Sequence, residues 1–478
     1  MTARTVPPTG RGPATLGAAA PADLAEARDR RRRRGQVLVI ALVTFALGSS
    51  RSVVNLLVGG RAAATATSTG TVVATGAGEL AGNVAAAAFV LACLGVVVAN
   101  VAQVRRFPQL TALILFLVFF AVVTVADFVA NEASGLRFSY YAIAVLLVVG
   151  WSVQPRFEDL GIIGAVGLLV AVASLALIPS GTGWMSESYA TLNEKALIGD
   201  RTLGGIYPQG NILGMVLSST MPLMLLFKRR LLGLASFAVG LWALLLTASR
   251  TSWAGLAVST AVVLVLLAAR KGRVLRILTV LGAVAITSVV VALPILTTDP
   301  LAFTARGQIW IYSREHWGSP TALLFGSGLD VYGIGGAIAT ALGAPSYHGH
   351  NEFVTLMTTS GLVAAMLFAV LFGLAVARVL MLPIGRPMRK VSYFLLTLIG
   401  ISIAETPLRI DTVDLLAWCT WLPLVLCFFA VTGSEGPLVA GTADRSRARA
   451  VTPPLALHRL DPPRTPSEPS GRRAAPWR

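Results

Sequence analysis

The sequence predicts an all-α polytopic membrane protein of about twelve transmembrane helices. Three observations lead there. Hydrophobic residues make up 55% of the 478, while charged residues make up only 13%; a soluble domain carries roughly 25% charged. Mean hydropathy is +0.74. Apolar runs near the length needed to cross a bilayer recur along the chain, with no sign of the short alternating segments of an outer-membrane barrel.

Taken in order, the apolar segments fall at 36–57, 82–104, 108–128, 138–154, 159–178, 207–227, 231–248, 252–269, 276–297, 351–377, 391–404 and 415–432. The first follows a long Pro/Ala-rich, arginine-laden stretch ending in RDRRRRR (Arg28 to Arg34) and reads as a retained span rather than a cleaved signal. Residues 1–35 and 433–478 are biased in composition and read as basic, disordered cytoplasmic tails around one transmembrane unit, 36–432. Cys93, Cys419 and Cys427 all lie inside apolar runs without metal-ligand spacing, so they read as small hydrophobes in a core or facing lipid.

The net charge of +17 is explained by topology rather than by nucleic acid. With both termini in the cytoplasm, thirty of the 39 basic residues fall on the inside, as the positive-inside rule requires. The arginine block beside the first span adds attraction to anionic lipid. Nine basic residues remain outside: Arg51, Arg61, Arg137, Lys195, Arg201, Arg250, Arg306, Arg314 and Arg409. Arg61 and Lys195 read as solvated loop residues. Arg250 lies in a short polar hinge, TASRTSW, between two apolar runs, where an arginine needs a cavity or a partner.

One large outer loop, about 298–350, precedes the tenth span. Its Trp310, Tyr312 and Trp317 suit an amphipathic segment lying at the membrane interface. Gly326 and Gly328 read as a turn; a lone Gly-x-Gly is weak evidence for a phosphate cradle. A second outer loop ends in GIYPQGN, with Pro208 near the first turn of the next helix.

Polar groups at the outer span ends form one chemical set: Arg201, Arg250, Arg306, His350 and Asn351. Guanidiniums bind phosphate through paired donors and keep their charge. A histidine near neutral pH takes a proton from a hydroxyl. The set suits a diphosphate-bearing donor and a hydroxyl acceptor. No carboxylate pair is placed for Mg²⁺ and no cluster has zinc spacing, so no metal or other cofactor is expected. Asn351 suits a helix N-cap, and His348 reads as a solvated loop residue.

Four segments carry a resemblance. RTLGGIYPQGNILG begins at Arg201; TASRTSWAGLAV holds Ser249 and Arg250; RGQIWIYSREHWGSPTALLFGSGLD holds Arg306, Trp310, Gly326 and Gly328; and HGHNEFVTLMTTSGLVAA holds His350, Asn351, Gly361 and Leu362. In this order, over roughly 201–365, they resemble the O-antigen ligase and O-antigen polymerase superfamily of bacterial membrane glycan transferases. The resemblance implies a GT-C-type helical fold and a metal-independent, inverting transfer from a polyprenyl-diphosphate-linked glycan to a glycan, lipid or protein acceptor. It implies His350 as base, with Arg250, Arg306 and Arg201 on the diphosphate, at the outer face of the bacterial cytoplasmic membrane. Trp310 and Asn351 are supporting residues. The family often carries an acid shortly before the glycine, where this chain has Thr359 and Ser360; Glu352 is the carboxylate nearest in sequence to orient His350.

Ligase and polymerase need the same donor site, so the residues do not separate them. A transporter is the alternative of another class, but no internal repeat is visible and the charges gather at one face. A cell-shape polysaccharide synthase would want an outer-loop aspartate, for which Asp299, Asp330 and Asp411 are present.

Overall fold

The computed structural model describes residues 21–64, 75–101, 109–131, 138–186, 196–269, 272–333, 335–343, 348–383, 386–409 and 415–431. Among these residues the chain is all-α, with one isolated bridge between Trp184 and Leu203. The helices are α1 (Pro21–Ala64), α2 (Gly76–Val101), α3 (Leu110–Asn131), α4 (Phe138–Val153), α5 (Gly161–Ala176), α6 (Gly210–Met224), α7 (Arg230–Leu246), α8 (Arg250–Ala268), α9 (Gly272–Leu296), α10 (Ala302–His316), α11 (Pro320–Phe325), α12 (Ala337–Leu342), α13 (Glu352–Leu380), α14 (Arg386–Ile401) and α15 (Trp421–Phe429).

Each apolar segment of the sequence falls on a helix. Seven are long and apolar enough to cross a membrane: α1, α2, α3, the helix ending at Ala176, α8, α9 and α13. The segments at 138–154, 207–227, 231–248, 391–404 and 415–432 fall on the shorter helices α4, α6, α7, α14 and α15. Residues 21–35, expected within a disordered tail, instead continue α1 as helix. Residues 1–20 and the expected tail 433–478 lie outside the described residues, as do Lys195 and Asp411.

Several hydroxyls buried in this apolar bundle bond back to the preceding turn. Thr44, Ser218, Thr220, Ser259, Thr279 and Thr397 each donate to the carbonyl four residues earlier, which removes the cost of burying an unpaired hydroxyl. All three cysteines are buried, so they belong to the core and not to a lipid-facing surface.

Small residues bring two helices into backbone contact where the site is built. A Cβ on Gly255 of α8 would lie 2.6 Å from the Ile401 nitrogen, and one on Gly400 of α14 would lie 2.7 Å from the Gly255 carbonyl oxygen. Glycine pairs of this kind allow the close crossings of membrane helices. The crossing sets Thr251, one turn before Gly255, against the chain that leaves α14.

The basic residues sort to opposite ends of α14. Near its start Lys390 donates to the Leu225 carbonyl and Arg389 to that of Ala269 at 3.3 Å. Just past its other end stand Glu405 and Arg409, on the order of 20 Å away at 1.5 Å per residue. At the first of these ends Asp159 accepts Arg33 at 3.0 Å and faces Arg34 at 3.4 Å, tying the basic stretch of α1 to the turn before α5.

Arg61 is not a solvated loop residue. The chain bends at Gly60, and Arg61 is buried, with its guanidinium donating to the carbonyls of Thr182, Gly205 and Tyr207. It fastens the end of α1 to the 180–207 loop. Pro208 stands beside the first turn of α6 as expected, directly before the N-cap Gln209 of a helix that starts at Gly210.

Candidate functional site

The described part of 298–350 is folded around the start of α13, and Trp310, Tyr312 and Trp317 pack into it while Phe303 and Phe325 stay exposed. Trp310, expected at the interface, is fully buried and donates from Nε1 to the Gly349 carbonyl at 2.8 Å. Trp317 donates to Thr358 Oγ1 at 3.1 Å, and Tyr312 packs on the small cluster of Val331, Tyr332 and Ile338. Both indole N–H groups find partners there, which a flat interfacial segment would not supply.

Gly326 and Gly328 form a turn (φ +78 and +77). The amides from Gly326 to Leu329 all have acceptors: Ala322, Thr358 and Thr359 carbonyls, and Asp127 Oδ1 at 2.8 Å. None is left to cradle a phosphate. A Cβ on Gly361 would lie 2.3 Å from the Leu324 carbonyl oxygen, and one on Gly326 would lie 2.4 Å from the Ser360 nitrogen. At Gly361 (φ +76) the helix α13 breaks, and α11 fits into the break.

His350 stands immediately before α13. Its neighbour Asn351 is the N-cap expected: Oδ1 accepts the Val354 N–H at 2.9 Å, while Nδ2 donates to the Val290 and Ile403 carbonyls at 2.9 Å each. The fully buried amide thereby joins α9, α13 and the segment after α14. Glu352 does not orient His350. Its Oε2 accepts the Leu408 N–H at 3.0 Å and its own N–H donates to the Ser402 carbonyl.

The carboxylate at His350 comes from Glu405. One oxygen lies 3.5 Å from His350 Nδ1, and the other accepts Arg306 Nη2 at 2.6 Å and Thr251 Oγ1 at 3.2 Å. Arg306 Nη1 also donates to the Ala404 carbonyl. Burial would raise the Glu405 carboxyl, but His350 and the Arg306 guanidinium outweigh it and hold the group below its ordinary value. His350 keeps 29% of its side chain exposed, against 13% for Arg306 and 2% for Glu405. Nδ1 is thus buried against the Glu405 carboxylate without a hydrogen bond among the described residues, while the rest of the ring stays partly open.

The sequence reading missed Glu405 and Thr251, and named Arg409 only among the outer basic residues. The signal was present: a lone Glu and a lone Arg in ISIAETPLRI, at the end of a weak apolar run. His348 is not solvated either. It is half-buried, and its Nδ1 accepts the His350 backbone N–H at 3.0 Å. Burial first, then the charges of His350, Arg409 and Arg306, push its imidazole well below the ordinary value.

Arg250 is exposed as the first residue of α8, next to the Thr251 that bonds Glu405. Arg201 is exposed on the loop that carries the Trp184–Leu203 bridge, and the Leu203 N–H reaches the Leu246 carbonyl at 2.7 Å. Three of the four motif segments thus meet at Glu405, and the fourth borders the Thr247–Arg250 hinge. Backbone strain collects at the same places. Among the described residues seven non-glycines have positive φ, and five are Ala248, Phe303, Thr304, Ala305 and His350. Such conformations cluster at functional sites.

Ligand atoms of His348, His350 and Glu405 lie within 4.8 Å of one another, a spacing open to a metal ion. The charge already in place favours another use. The Arg306 guanidinium neutralises the Glu405 carboxylate at 2.6 Å, and His348 Nδ1 is engaged by the backbone. An apolar groove of about 740 Å³ runs between α9 and α13 over α14. Val280, Val284, Phe353, Phe368 and Phe372 line it, and Glu352, Ser402 and Leu408 stand among its few polar or loop residues.

Fold and site together define a helical membrane protein with a histidine–carboxylate–arginine cluster beside an apolar groove. No protein-family model, curated protein or solved structure matches the chain.

Proposed function

We propose that the chain is a membrane glycan transferase of the O-antigen ligase type. It moves a glycan from a polyprenyl diphosphate to an acceptor hydroxyl at the outer face of the bacterial cytoplasmic membrane. The observation that carries the reading is Glu405 bridging His350 and Arg306. A base needs an orienting partner, and a leaving diphosphate needs cations; this cluster offers both within one side chain's reach. The motif resemblance over 201–365 supplies the substrate class.

In the reaction the acceptor hydroxyl approaches the open edge of the His350 ring. Its oxygen bonds to the anomeric carbon as the bond from that carbon to the diphosphate oxygen breaks. The hydroxyl proton passes to His350 Nε2, and the bonding pair leaves on the diphosphate. Glu405, on the Nδ1 side, stabilises the imidazolium that forms, the role a buried carboxylate plays in serine-hydrolase triads. Arg250, whose exposed guanidinium has no hydrogen bond among the described residues, supplies donors to the diphosphate. Arg306 adds its charge while holding Glu405. The apolar groove beside Glu352 suits the lipid tail of the donor.

The test is turnover by the purified full-length chain in lipid nanodiscs, given a polyprenyl-diphosphate-linked oligosaccharide and an oligosaccharide or lipid acceptor. Release of polyprenyl diphosphate should accompany glycan transfer. His350→Ala should lower it on the order of 10²–10⁴-fold, the usual loss for a positioned base. Elongation of the donor's own glycan would assign the polymerase reaction. Undiminished turnover by His350→Ala would overturn the reading.

A further inference from the structure

The tripeptide His348–Gly349–His350 is held at three backbone groups, both of Gly349's and the His350 N–H. Gly349 donates to Thr355 Oγ1 at 2.9 Å and accepts Trp310 Nε1 at 2.8 Å. Its missing Cβ would fall 2.9 Å from the Tyr332 hydroxyl and from Val354 Cγ1. His350 has φ +49, the left-handed region that costs a side-chain-bearing residue free energy. Something must offset that cost, and the bond from His350 N–H to His348 Nδ1 at 3.0 Å is the contact that closes the turn.

We infer that His348 is a positioning residue: its Nδ1 accepts the His350 backbone N–H and holds His350 in the left-handed conformation that aims its ring at Glu405. This rests on the reading of His350 as base. A side-chain acceptor reaching the N–H two residues on is the Asx-turn, ordinarily made by Asn or Asp. Histidine Nδ1 sits on Cγ just as asparagine Oδ1 does, so His348 makes the same turn with a ring. The ring adds a stack on His350, centroids 4.1 Å apart and planes at 56°. Accepting requires an unprotonated Nδ1. Burial opposes protonation there first, and the His350 ring and the guanidiniums of Arg409 and Arg306 act in the same direction.

The hydrogen bond and the stack separate by substitution. His348→Asn keeps an acceptor at the δ1 position and loses the ring; His348→Phe keeps a ring and loses the acceptor. In the nanodisc assay, His348→Asn should stay within about threefold of the parent. His348→Phe should lose roughly 10–100-fold in kcat, the scale of a catalytic group displaced by about an ångström, with the donor KM within about twofold. Amide exchange gives a readout independent of turnover. The His350 N–H should exchange slowly in the parent and in His348→Asn, and at least about tenfold faster in His348→Phe. Should His348→Phe not fold, His348→Ala carries the same expectation. Equal losses in the Asn and Phe variants, or unchanged His350 exchange without an acceptor, would sink the inference. If His350→Ala is inactive while His348→Phe turns over normally, this inference alone fails. If His350→Ala is active, the transferase reading fails first.

Discussion

Glu405 divides its two carboxylate oxygens between His350 at 3.5 Å and Arg306 at 2.6 Å. The proposed base and its neighbouring cation are therefore linked through one buried group. Glu405→Gln keeps the shape and removes the charge, so Arg306 loses its counter-ion and the imidazolium loses its stabiliser. Turnover should fall on the order of 10²-fold or more, with chain recovery from membranes unchanged. Glu405→Gln with parental kcat would leave His350 acting without an orienting carboxylate.

Arg250 and Arg306, two of the three arginines proposed for the diphosphate, differ in what else they hold. Arg250 is exposed at the start of α8; Arg250→Lys should lower turnover with no shift in thermal midpoint, because only the paired donors are lost. Arg306→Ala strips the cation from a carboxylate that is 2% exposed, a change that costs about 3–5 kcal/mol in comparable buried pairs. Its midpoint should drop by several degrees alongside activity. Equal thermal behaviour of the two variants would contradict the different burial of their partners.

Acid should loosen the site before it unfolds the bundle. His348 and Glu405 both bind protons less readily in the folded chain than their ordinary values of 6.5 and 4.5. The unfolded chain then holds the extra protons in acid, and stability falls as pH falls. The contribution of His348 is complete above 6.5 and is lost below it; that of Glu405 is complete above 4.5 and is lost below that. Thermal midpoints in detergent should decline more gently for His348→Asn than for the parent between about pH 6.5 and 5. Parallel slopes would mean that His348 titrates alike in both states.

The α8–α14 crossing tolerates no side chain. Gly400→Val places a Cβ 2.7 Å from the Gly255 carbonyl oxygen, forcing the helices apart at a cost of about 1–3 kcal/mol. Thr251 and Glu405 sit on either side of this crossing, so turnover should fall even where the protein inserts and purifies normally. Gly95→Val in α2, with open space around it and away from the groove, serves as the silent control.

Topology can be read by labelling, because Cys93, Cys419 and Cys427 are all buried. Thr298→Cys and Lys228→Cys both introduce exposed thiols. An impermeant maleimide should label the first in intact cells and the second only after permeabilisation. The opposite pattern would turn the chain over and move the His350 site to the cytoplasm.

Local periodicity was enough for the helices: every apolar run became one, because burying twenty apolar residues without unpaired backbone leaves few other solutions. Asn351 was legible as an N-cap for the same local reason. The partner of His350 was not. Glu352 is adjacent in sequence, but the first turn of α13 directs it to the Leu408 amide. Glu405 arrives from 55 residues later through the glycine crossing of α8 and α14, a tertiary contact that no spacing rule encodes. The aromatics of 298–350 misled similarly, since Trp310 looks interfacial until Gly349 is found under its N–H. Arg61 was judged by its polar neighbours in sequence, whereas the carbonyls that hold it come from Thr182, Gly205 and Tyr207.

The groove between α9 and α13 is open along its flank, where Val280 and Val284 are 40% and 57% exposed. A reactant whose tail rests there arrives by sliding within a two-dimensional film, never by diffusing through bulk water. Its supply is then counted per unit area. Below saturation, doubling the lipid at constant donor should halve the rate although the concentration per volume of sample is unchanged, and excess detergent should slow the reaction by surface dilution alone.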